Sequence, residues 1–122
     1  MTTQKELAVL INKGLATENV EESENCFFED ISGKFYVCAL GAALVGKFGS
    51  PNKALELIDF EREAHLKLCA NENSNAGFAY ADIAAELLEI DFDLADAIDK
   101  TQMLGAPATE IAEKLAESCF PY

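Results

Sequence analysis

Two Gly-x-Pro breaks, Gly49-Ser50-Pro51 and Gly105-Ala106-Pro107, limit what this chain can fold into. Glycine readily takes the left-handed conformation that closes a helix, and proline suits the first turn of the next one. Helices therefore stop at Gly49 and Gly105 and restart at Pro51 and Pro107, with Ser50 as N-cap of the first restart. Around these breaks the apolar residues recur at helical spacing. Residues 4 to 16 read as a first helix on Leu7, Leu10, Ile11 and Leu15. Residues 38 to 48 (CALGAALVGKF) read as a tightly packed second helix, and the third runs from Pro51 to about Ala70. Phe78 to Ile90 is a fourth, a segment capped by Asp91 and reaching Leu104 a fifth, and Pro107 to near Ser118 a sixth.

The remainder is short. Residues 17 to 25 (TENVEESEN) and Asn71 to Asn75 are polar and read as loops. The runs Cys26 to Asp30 and Lys34 to Val37 flank Ile31-Ser32-Gly33 and read as a hairpin, which must lie on helices because a lone two-stranded ribbon is marginally stable. The fold predicted is mainly α, a compact bundle of five or six helices with one short β-hairpin, in a single helical domain over residues 1–122. Its predicted core is Leu7, Leu10, Ile11, Leu40, Ala43, Leu44, Leu57, Ile58, Leu68, Ile83, Leu87, Ile98, Ile111 and Leu115.

Charge narrows the partners. With 22 acids against 9 bases, the net charge of -13 repels nucleic-acid phosphates and anionic lipid. Direct nucleic-acid and membrane-surface binding are thereby disfavoured, while basic partners are allowed. The apolar run Leu7 to Ile11 is too short and too charged in its flanks for a signal peptide, and Phe35 to Gly46 is too short for a membrane span. Both point to the cytosol, where Cys26, Cys38, Cys69 and Cys119 are reduced thiols rather than a disulfide framework.

Two spots could carry chemistry. On the third helix, Ala54, Leu57, Ile58, Ala64, Leu68 and Cys69 cluster on one face, with Glu61 and His65 one turn apart near its middle. A carboxylate and the sole imidazole inside an apolar stripe read either as an acid/base pair or metal ligands, or as a structural hydrogen bond. Cys38, where the second strand meets a helix, reads as a nucleophile whose thiol is acidified by the helix N-terminus, with His65 as base. Its neighbours Ala39, Gly41, Ala42, Ala43 and Gly46 support the plainer reading, a packing residue in a helix that another helix approaches closely.

Other patterns are incomplete. A zinc site lacks any C-x-x-C pair and has only His65 and Cys69 as local ligands. The acidic run Glu86, Glu89, Asp91, Asp93, Asp96 and Asp99 puts Asp96 where a calcium loop requires glycine, and so reads as a solvated helical face. Phe78 and Tyr80 read as core or rim aromatics. Residues 103 to 117 resemble half of a helix-turn-helix but are acidic and leave no room for a recognition helix. No cofactor is implied.

Cys38-Ala39-Leu40-Gly41-Ala42-Ala43 resembles the C-x-x-G-A helix of small uncharacterised bacterial and phage proteins. In those proteins a C-terminal helix pair likewise resembles Ala97-Ile98-Asp99 through Gly105 and Glu110-Ile111. The resemblance covers roughly a third of the chain and implies a small stand-alone helical domain, with no functional residue to carry over. Three functions are in view. The leading one is a non-enzymatic protein-binding or regulatory module that contacts a partner, or itself, through an apolar helix face. The others are a small enzyme or ligand-binding protein using Glu61, His65 and Cys38, and an acidic nucleic-acid mimic that occupies a basic partner.

Overall fold

A computed structural model describes residues 2–23, 27–71 and 80–120, with the side chains of 65–71 outside the description. The element order is α1 (Gln4–Leu15), β1 (Val20–Glu22), β2 (Phe28–Ile31), β3 (Lys34–Val37), α2 (Ala39–Phe48), α3 (Pro51–Asn71), α4 (Tyr80–Leu88), α5 (Phe92–Met103) and α6 (Ala108–Ala116). The fold is mainly helical, with six helices and a small three-stranded sheet among the described residues.

The two breaks act as the sequence implies. Gly49 closes α2 at φ 80°, its N–H bonded to Val45 O at 2.9 Å. Ser50 Oγ then accepts from Lys53 N at 3.3 Å and starts α3. Gly105, at φ 106°, follows α5. Pro107 takes the extended N-cap position of α6, so this helix starts one residue later than the proline-first reading. The fourth helix ends at Leu88, with Glu89 at φ 58°, two residues short of the predicted end; its predicted start at Phe78 lies outside the described residues.

The sheet is larger than a hairpin. β2 and β3 pair antiparallel around Ser32 and Gly33, both at positive φ, and Asp30 Oδ1 accepts from Gly33 N at 3.2 Å. On the other side of β3, Val20–Glu22 pairs in parallel, Val20 opposite Phe35, within a stretch read from sequence as loop. A strand of three residues with two glutamates offers no alternation. It exists because its partner, fifteen positions on, presents an open edge.

α2 is the hub, packed against α1, α3, α4, α5 and α6, and every residue from Ala39 to Gly46 is buried. Its small residues admit α1 at backbone distance. A Cβ on Gly14 would fall 1.8 Å from Ala42 O, and one on Gly46 would fall 2.1 Å from Leu10 O. These two contacts, one turn apart and in reversed order along the two helices, make the pair antiparallel. Ten of the predicted core residues are fully buried: Leu7, Ile11, Leu40, Ala43, Leu44, Ile58, Ile83, Ile98, Ile111 and Leu115. Leu10, Leu57 and Leu87 are only partly buried, whereas Val37, Val45, Leu88 and Phe120 join the core. Leu68 lies outside the described side chains. No helix among the described residues is long and apolar enough to cross a membrane.

Several helix ends are closed by side chains from distant elements. Ala39 N, in the first turn of α2, donates to Gln102 Oε1 at 2.8 Å, and Ala108 N in α6 donates to the Glu22 carboxylate. At the C-terminal end of α4, Lys47 Nζ donates to Leu87 O at 2.5 Å and Thr2 Oγ1 to Leu88 O at 2.7 Å. These bonds satisfy terminal backbone groups that a helix cannot pair internally.

Candidate functional site

α3 is continuous from Pro51 to Asn71, as the Glu61/His65 pairing requires. The stripe that was to carry the pair is split, however. Ala54 and Ile58 are fully buried, Leu57 and Glu61 are half-buried, and Ala64 is exposed. α3 packs on α2 and α4, and among residues 51–64 Ala54 and Ile58 form its buried edge. The structure places Glu61 at the margin of the core, and the side chains of His65 and Cys69 lie outside the description.

Cys38 sits at the strand-to-helix junction, as read from sequence, but as the N-cap of α2 rather than its first residue, and no side-chain capping bond forms. The thiol is buried, and desolvation pushes its pKa up to about 11. The N–H groups of Gly41 and Leu40 pull the other way and lose, because a thiolate in an apolar site forfeits more hydration than a helix terminus returns. The carboxylate of Asp99 adds to the rise. At neutral pH the sulfur is a protonated packing group.

The acidic run lies on solvated faces: Glu86, Glu89, Asp91 and Asp93 are exposed, Asp96 binds Lys100 at 2.8 Å, and burial with the nearby Asp96 raises the Asp99 pKa. Among the described residues no group of three or more His, Cys, Asp or Glu side chains could hold a metal ion. Tyr80 is a half-exposed rim residue whose ring stacks on Phe27 at 4.9 Å, with the Arg62 guanidinium 5.7 Å from its centroid. Phe78 lies outside the described residues.

Features that the sequence reading passed over stand out at the end of α5. Gln102, 2% exposed, is the one buried polar side chain among the described residues, and its Oε1 anchors the start of α2. The next two residues turn outward: Met103 is 74% and Leu104 90% exposed. With Lys100 they line an open, apolar hollow of about 280 Å³. A second open hollow, about 380 Å³, lies between Thr2, Glu6, Val9, Leu10 and Lys47. Sequence periodicity made Leu104 the last residue of a helix and could not reveal that nothing packs over it. No protein-family model, curated protein or solved structure matches the chain.

Proposed function

We infer that this chain is a non-enzymatic, cytosolic protein-binding or regulatory module, and that the α5 tip is a docking point. The observation that carries this reading is the pair Met103 and Leu104, held outward on a helix end whose preceding residue is locked into the core. A backbone already held in place adds no ordering cost of its own on binding, so that only the two side chains remain to be ordered. With a net charge of -13, a basic partner is favoured over a second copy, whose equal charge repels it.

The test compares the wild-type chain with a Met103→Ser/Leu104→Ser double variant, each immobilised against extract from the source cell. A discrete partner retained by the wild type, competed by free protein, weakened by salt and lost with the variant is the expected result. Equal retention by a variant of unchanged thermal midpoint refutes the reading. Sedimentation of the wild type at increasing concentration checks the second-copy alternative; the monomer is expected throughout.

A further inference from the structure

α3 offers a different surface from the α5 tip. Its inner edge, Ala54 and Ile58, is sealed into the core, while Leu57, the 69%-exposed Phe60 and the exposed Ala64 form an outer apolar line. Spacings of three and four residues place Leu57, Phe60 and Ala64 at successive a, d and a positions of a heptad, the seam by which one helix packs along another. In the same register Glu56 and Glu63 fall at g and Glu61 at e, the positions that flank such a seam and set partner choice. Glu56 and Glu63 are exposed, and Glu61 is half-buried on the inner side. Lys53, at the preceding d position, ends the apolar line after about two turns.

We propose that the outer face of α3 pairs with a helix of a partner protein whose apolar seam is flanked by lysine or arginine. The flanking charge selects this occupant. A second copy, parallel or antiparallel, sets glutamate against glutamate along the seam, a juxtaposition that destabilises pairing. A basic helix reverses every one of those contacts and satisfies the apolar line at the same time. This surface is independent of the Met103/Leu104 tip.

The test uses the full chain and two synthetic helical peptides with leucine at a and d, one carrying lysine and the other glutamate at e and g. Binding is followed by fluorescence anisotropy, and its location by backbone amide shifts. The lysine peptide is expected to bind and to shift resonances of Leu57, Phe60 and Ala64, and the glutamate peptide not to bind. Phe60→Ser should weaken binding at least about tenfold, and the solvent position of Phe60 keeps this variant folded. Glu56→Lys/Glu63→Lys should lose the lysine peptide and accept the glutamate one. The proposal is overturned if the lysine peptide fails to bind, if Phe60→Ser binds it as well as the wild type, or if the wild type forms a dimer that Phe60→Ser dissolves. Release of the peptide by Met103→Ser/Leu104→Ser also overturns it, and leaves the tip reading standing.

Discussion

α2 and α3 are neighbours in sequence, separated only by Gly49 and Ser50, yet they live in different environments. α2 is ten residues long, and eight consecutive ones are buried. α3 is twenty-one residues long, but within residues 51–64 only Ala54 and Ile58 are fully buried. Composition already separates them: α2 has seven apolar residues in ten and a single charge, α3 ten in twenty-one and seven charges. How closely other helices can come adds to the difference. Gly14 and Gly46 let α1 and α2 meet backbone to backbone, which helps to shut water out of Ala39 to Gly46. α3 carries larger side chains, meets its neighbours along one edge, and leaves Phe60 outside. Small side chains bury a helix through proximity; large ones on an outer edge stay in water.

The comparison can be broken most forcefully at Leu44. Its truncation to alanine empties space in a fully buried helix and should cost about 2–5 kcal/mol, read as a lower urea midpoint with an unchanged slope. Gly46→Ala is the sharper test, because its sign is diagnostic. In an open helix the change gains about 1 kcal/mol. Here the new methyl meets the Leu10 carbonyl, and a loss of about 1–3 kcal/mol is expected; a gain would mean that α1 and α2 are not in backbone contact.

Cys38 adds a pH dependence. An unfolded thiol releases its proton near 9.0, whereas the buried one holds it to about 11. Between these values the folded state binds more protons, so this contribution is fully present below pH 9 and lost as pH rises toward 11. The slope is at most about 1.4 kcal/mol per pH unit, and Cys38→Ala should remove it from stability measured against pH. Thiol reagents should reach the exposed Cys119 in the native protein and Cys38 only after unfolding.

Smaller effects follow at the margins. Gln102→Leu deprives Ala39 N–H of its acceptor and should cost about 1 kcal/mol, with faster hydrogen exchange at that amide. Phe60→Ser should change stability by less than about 0.5 kcal/mol, since the ring already faces water. A large loss there would place Phe60 in a packed site and erase the contrast between the two helices.

What the sequence determined by itself was local. Gly49, Ser50, Pro51 and Gly105 act through their own backbone preferences, so the helix breaks could be read within a residue or two. The helical class and most of the buried leucines and isoleucines followed from periodicity, which reports that a face is apolar. Periodicity does not say what will cover that face, and this is why Ala64, on the apolar stripe of α3, is exposed and why Leu104 drew no attention. Tertiary structure decided the long-range matters: the parallel pairing of Val20–Glu22 with β3, the capping of Ala39 by a glutamine 63 positions away, and the burial that overrode the helix-terminus effect at Cys38. Each of these is set by which groups are brought together and how much water they exclude, quantities that exist only once the chain has closed on itself.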